Sequence, residues 1–242
     1  MDRIRGRKRA WVAAAGCLMV FMGACGAAPS APSVAPTPLE RELGAEVAQF
    51  AAADKLSFPA PCQVLFVGSS SIRMWKTLSQ DMAPMPVINR GFGGSEIEYV
   101  NRWFDPLVAA YRPRAIVFYA GENDVDSGKS TQRVLADFDV FLEKKAAALG
   151  AVPVYFISLK PSKLRIGQLA QQAEVNAAIR ALVARRTDLH YIDVATPMLE
   201  NGQPRDLYAA DGLHMTRDGY AIWTQRVRAA LPPQPGSCQP MT

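Results

Sequence analysis

Five short apolar runs divide the chain: residues 64–67 (VLFV), 86–88 (PVI), 115–119 (AIVFY), 154–157 (VYFI) and 191–194 (YIDV). None shows the strict polar alternation of a strand with one wet face, so each suits a strand covered on both sides. Helical patterns separate them. Val134, Leu135, Phe138, Phe141, Leu142 and Leu149 recur at helical spacing and stop at Gly150, a C-cap residue. A second pattern covers about residues 168–186, and a third runs from 216 to 231, ending at Pro232 and Pro233. Before the first run, Thr37-Pro38-Leu39-Glu40 forms a capping box with proline at the first helical position, followed by Leu39, Leu43, Val47 and Phe50. Strand and helix alternate, which predicts an α/β fold with a parallel sheet between two helical layers. In such sheets ligands bind outside the carboxyl ends of the strands.

The net charge of +5 on 242 residues does not mark a nucleic-acid-binding protein. Arg3, Arg5, Arg7, Lys8 and Arg9 against Asp2 place +4 in the first 24 residues and leave +1 for the rest. A nucleic-acid stripe would need its basic residues within the folded part. The basic start is followed by an apolar run over about residues 10–24, too short to span a bilayer, as in an export signal. It ends Phe21-Met22-Gly23-Ala24-Cys25, which resembles a bacterial lipobox with Cys25 as the lipidated residue. An ordinary secretory signal cut nearby is the alternative. Residues 27–38, AAPSAPSVAPTP, read as an extended semi-rigid spacer. The expected organisation is therefore a signal peptide over 1–24, a lipid-anchored Pro/Ala/Ser linker over 25–38 and a folded domain over 39–242. The location this implies is the bacterial cell envelope, on a periplasmic or outer-membrane face, with membrane contact through the lipid anchor only.

Loss of Cys17 with the leader and lipidation of Cys25 would leave Cys62 and Cys238. In an oxidising compartment these are a candidate disulfide tying the two chain ends together, with two unrelated thiols as the alternative.

Four motifs could carry chemistry. The first run ends in Gly68-Ser69-Ser70-Ser71-Ile72, which puts a serine at a strand's carboxyl end and a helix start, with a free backbone N–H. Ile72 stands where an α/β-hydrolase elbow would need its second glycine. The second run leads into Asn89-Arg90-Gly91-Phe92-Gly93-Gly94-Ser95, whose glycines let backbone N–H groups approach a ligand. The third leads into Gly121-Glu122-Asn123-Asp124, where the asparagine amide can be aimed at a developing oxyanion. Asp211-Gly212-Leu213-His214 precedes the last helix. A carboxylate three residues before an imidazole can accept its Nδ1–H and leave Nε2 to take a proton. His190, the other of two histidines, lies at the amino end of the fifth run and is read as structural. Each motif alone has a plain reading as a turn, a cap or a surface histidine.

Together and in this order, Gly68-x-Ser70, Asn89-x-Gly91-x-x-Gly94, Gly121-x-Asn123-Asp124 and Asp211-x-x-His214 resemble the four blocks of the SGNH/GDSL hydrolases. The resemblance spans about Val64 to Tyr220. It implies a three-layer α/β/α, flavodoxin-like fold with about five parallel strands. Ser70 is then the nucleophile, His214 the general base and Asp211 its orienting partner. The Ser70 and Gly94 N–H groups and the Asn123 side chain form the oxyanion hole. The first block of that family usually carries aspartate after the glycine, where this chain has Ser69.

The activity expected is hydrolysis of a carboxylic ester through an acyl-enzyme. The substrate would be a lysophospholipid, a short-chain acyl ester or an O-acetylated glycan. A non-catalytic lipoprotein binding acylated glycans or lipids, and an acyltransferase using the same triad, are the alternatives. No metal is expected, since the chain lacks H-E-x-x-H and paired zinc-type cysteines. No cofactor is expected either, because Gly91-Phe92-Gly93-Gly94 is not a G-x-G-x-x-G fingerprint. A monomer without a nucleic-acid partner is expected. Residues 159–165, LKPSKLR, follow the fourth run and are read as a solvated loop beside the crevice.

Overall fold

The computed structural model describes residues 35–233 and Cys238. The export leader, Cys17 and Cys25 lie outside the described residues. Helix α1 (Pro38–Leu56) opens on the capping box: the Glu40 N–H donates to Thr37 Oγ1 at 3.1 Å and the Thr37 N–H to Glu40 Oε2 at 2.7 Å. The chain then runs β1 (Val64–Gly68), α2 (Ser70–Arg73), α3 (Leu78–Met82) and β2 (Val87–Gly91). There follow α4 (Ile97–Arg102), α5 (Phe104–Leu107), β3 (Ala115–Tyr119), α6 (Glu122–Asp126), α7 (Thr131–Leu149), β4 (Val154–Ile157) and α8 (Leu169–Val183). β5 (Leu189–Ile192), a small hairpin of β6 (Leu199–Glu200) and β7 (Gln203–Pro204), and α9 (Arg217–Ala230) complete it. No helix among the described residues is long and apolar enough to cross a membrane.

All five long strands are parallel, in the order β2-β1-β3-β4-β5. Successive strand side chains point to opposite faces, and the core divides accordingly. Leu65, Val67, Phe118 and Phe156 pack under α1, α4, α5, α7 and α8. Val64, Phe66, Tyr119 and Ile157 pack under α2, α3 and α9. Every residue of β1, β3 and β4 is buried, as the unbroken apolar runs require. The result is the three-layer α/β/α sandwich with a five-stranded parallel sheet that the resemblance implied.

The two edge strands depart from the sequence reading. β2 extends to Gly91, taking in Asn89 and Arg90, and both edge strands are only partly covered. β5 spans Leu189–Ile192 rather than residues 191–194, because Leu189 and His190 pair in register with Val154 and Tyr155. His190 is thus inside the strand, its ring stacked on Tyr155 at 4.5 Å between centroids. An edge strand offers one covered flank, so hydropathy marks its ends poorly. The short helices α3, α4 and α5 carry too few turns to show a period.

Cys62 and Cys238 are disulfide-bonded, with Cα atoms 5.2 Å apart across 176 residues of sequence. The bond lies beside the amino end of β1, away from the edge where the four motifs gather.

Candidate active site

The strand order places a topological switch at β1 and β3: the chain leaves β1 toward β2 on one side and returns to β3 on the other. A crevice opens at the carboxyl ends of such strands. Register sharpens this, since Gly68 pairs with Gly91 of β2 and with Tyr119 of β3, so three strands end at one level.

Gly68 makes the close approach possible. Its φ is +136°, and a Cβ there would lie 1.8 Å from the Tyr119 carbonyl oxygen. That same oxygen accepts the Ser69 N–H at 2.8 Å. Gly68→Ala is therefore expected to destabilise the fold by at least about 1–3 kcal/mol, read from the chemical denaturation midpoint. An unchanged midpoint would contradict this packing.

Beyond Gly68 the backbone of Ser69 is extended and Ser70 begins α2. A first-turn N–H has no partner within its own helix, so that of Ser70 is left for the crevice. The Ser69 side chain is buried and does not cap the helix. Asn89 ties the second loop to the first: its Nδ2 donates to the Ile72 carbonyl at 2.7 Å, and its Oδ1 accepts the Gly91 N–H at 2.9 Å. Glu46 of α1 pairs with Arg73 at 2.7 Å and accepts the Gly93 N–H at 3.0 Å. Gly94 then turns with φ +65° at an exposed position.

Ser70 Oγ lies 2.9 Å from His214 Nε2, and His214 Nδ1 lies 2.6 Å from Asp211 Oδ2. The other Asp211 oxygen accepts the Leu213 and His214 N–H groups, each at 2.9 Å. Burial would raise the Asp211 carboxyl, but the bonds from the His214 ring and from these two N–H groups outweigh it and hold it at about 2. Asp211 therefore stays an acceptor-only anion, which fixes the tautomer with Nδ1 protonated and Nε2 free to accept. The Ser70 hydroxyl is then the donor in the first bond.

Asn123 in α6 reaches back to the second loop, its Nδ2 donating to the Ser95 carbonyl at 2.9 Å. Asp124 clamps the same loop by accepting the Ile97 N–H at 3.1 and 3.2 Å. Burial pushes the Asp124 carboxyl up to about 6, against the pull of Lys129.

The structure corrects the reading of residues 159–165. Lys160 is fully buried, donating to Glu122 Oε1 at 3.1 Å and to the Leu213 carbonyl at 2.9 Å. Arg165 is also largely buried, with Nη2 3.0 Å from Asn123 Oδ1 and 2.9 Å from Asp126 Oδ2. Only Lys163 is a solvated cation, paired with Asp206. The cations turn inward because α6 presents Glu122, buried beneath the loop and also bonded by the Tyr119 hydroxyl. Glu46, Glu122, Lys160 and Arg165 were thus not picked out by motif. The one available signal was the acid–amide–acid string of residues 122–124 facing a lysine and an arginine across the next strand.

A fold and a site of this kind define a serine hydrolase. The sequence profile of the GDSL-like Lipase/Acylhydrolase family matches residues 65–222, and the chain belongs to that family of ester-cleaving enzymes. No relative was found among curated protein sequences. Among solved structures, the fold is similar to that of a Streptococcus pneumonia protein assigned as a platelet activating factor (TM-score 0.71, 17% identity, 78% of this chain and 92% of that one). It is also similar to a GDSL-like lipase from Bacteroides thetaiotaomicron (TM-score 0.65, 19% identity, 76% and 96%). A third is an acetyl-xylooligosaccharide esterase from Geobacillus (TM-score 0.58, 14% identity, 71% and 94%).

Proposed function

We propose that this hydrolase cleaves a carboxylic ester by nucleophilic catalysis from Ser70. The observation that carries the reading is the unbroken hydrogen-bonded line Ser70–His214–Asp211 at the crevice. His214 Nε2 takes the Ser70 proton as Oγ attacks the ester carbonyl carbon. The carbonyl π pair moves onto its oxygen, where the Ser70 and Gly94 N–H groups and Asn123 Nδ2 receive the negative charge. Collapse expels the alcohol, which takes the proton from His214, and leaves an acyl-enzyme. Water, deprotonated by the same nitrogen, then releases the acid and restores the serine.

Hydrolysis of an acyl-chain series of aryl esters by the purified protein tests the reading and grades the substrates: short acyl esters, O-acetylated glycans or lysophospholipids. Asn123→Ala is expected to lower kcat by about 10²–10³ with little change in KM, because its charge-stabilising bond forms only in the transition state. A change confined to KM would assign Asn123 to ground-state binding instead.

We further infer from the leader that the enzyme works in the bacterial envelope, anchored by a lipid on Cys25. A fatty-acid analogue fed to cells should label the protein, and Cys25→Ala should remove the label. Unlabelled native protein would leave secretion without an anchor.

A further inference from the structure

We propose that Arg165 is a positioning residue that fixes which way the Asn123 carboxamide faces. The proposal rests on the oxyanion role assigned to Asn123 above. An asparagine amide can turn over by 180°, exchanging a donor for an acceptor at nearly the same positions. In the flipped form Asn123 would present its carbonyl oxygen toward the second loop, where the Ser95 carbonyl stands. The oxyanion would then lose this donor.

Two contacts decide between the forms. The Ser95 carbonyl can only accept and a guanidinium can only donate. Nδ2 faces Ser95 at 2.9 Å while Oδ1 faces Arg165 Nη2 at 3.0 Å, so only this orientation satisfies both. One N–H of Nδ2 is used by Ser95 and the second remains for the crevice. The cationic donor on Oδ1 also draws electron density from the amide, which makes the remaining N–H a stronger donor.

Arg165 is itself held. Its side chain is 9% exposed and pairs with Asp126 at 2.9 Å and Glu122 at 3.4 Å, residues on either side of Asn123 in α6. Its Nε is buried without a hydrogen-bond partner, so the terminal nitrogens alone set the plane of the guanidinium. Glu122 in turn receives Lys160, whose second bond goes to the carbonyl of Leu213, the residue before His214. The loop that carries the base and the helix that carries the amide are therefore braced from one buried carboxylate.

A double-mutant cycle in the full chain tests this, with kcat and KM for a soluble aryl acetate measured for Asn123→Ala, Arg165→Met and the double variant. Arg165→Met is expected to lower kcat about 10–100-fold at nearly constant KM, less than removing the amide itself. In the Asn123→Ala background it should change kcat by less than about twofold, because there is no amide left to orient. Arg165→Lys retains a cationic donor and should recover part of the loss. Should Arg165→Met not fold, the same cycle run with Arg165→Lys keeps the coupling measurable. Effects of Arg165 and Asn123 that add in full, or an unchanged kcat in Arg165→Met while Asn123→Ala is impaired, would overturn the proposal and leave the oxyanion role standing. An unimpaired Asn123→Ala would overturn both.

Discussion

Ser70→Ala and His214→Ala are each expected to lower kcat for ester hydrolysis by about 10⁴–10⁶, and the double variant by little more. The reason is that neither residue has a function in the reaction without the other. The hydroxyl is a weak nucleophile until Nε2, 2.9 Å away, accepts its proton. A fluorophosphonate should form its adduct on Ser70 alone, although three serines stand in a row at residues 69–71. Ser69 and Ser71 are buried at 3% exposure each, whereas Ser70 is the one bonded to the imidazole. Peptide mapping of the adduct gives the answer, and modification at Ser69 or Ser71 would overturn the assignment.

Glu122→Gln is expected to cost about 3–5 kcal/mol of folding stability, as removal of one partner from a buried ion pair does. Lys160, fully buried, would lose the carboxylate it is paired with, and Arg165 would lose one of its two anions. Burial already pushes the Lys160 ammonium down, and Glu122 is the main influence opposing this. The pH dependence supplies a second reading. A lysine whose pKa is lower in the folded state than in the unfolded state destabilises the fold while both forms are protonated. That penalty is relieved as pH rises past the folded value. The deficit of Glu122→Gln relative to the native protein should therefore shrink as pH rises toward the usual lysine range. Urea denaturation at several pH values measures it, and a deficit under about 1 kcal/mol at neutral pH would show that the pair adds little.

Much of this architecture can be read from the chain. The three central strands are continuous apolar runs because helices cover both of their faces, and α1, α7 and α9 carry helical stripes, the first two opened by side-chain N-caps at Thr37 and Ser130. The apolar pattern misplaces the edge strands by two or three residues, since a strand with one covered flank loses the apolar continuity that marks its ends. Ser70, Asn123, Asp211 and His214 stand out only together, because the order of their four motifs resembles the blocks of the SGNH/GDSL hydrolases; each motif alone reads equally well as a turn, a cap or a surface histidine. The buried charges that brace Asn123 and the His214 loop do not show in the sequence. Lys160 and Arg165 in LKPSKLR look like ordinary loop cations, and nothing nearby in sequence tells which of the charges meets a partner.

The sequence by itself determined the order of the five main strands and the long helices, the edge of the sheet at which the motifs gather, and the types of group available there. Those follow from periodicities of two and 3.6 residues and from side-chain chemistry, which are properties of neighbours in the chain. Only the tertiary structure decided that His214 meets Ser70 across 144 residues and that Arg165 meets Asn123 across 42. It likewise decided that Glu122 binds a lysine and an arginine beneath the site. Such pairings depend on strand order and register, and on the cost of leaving a charge unpaired once packing has removed its water.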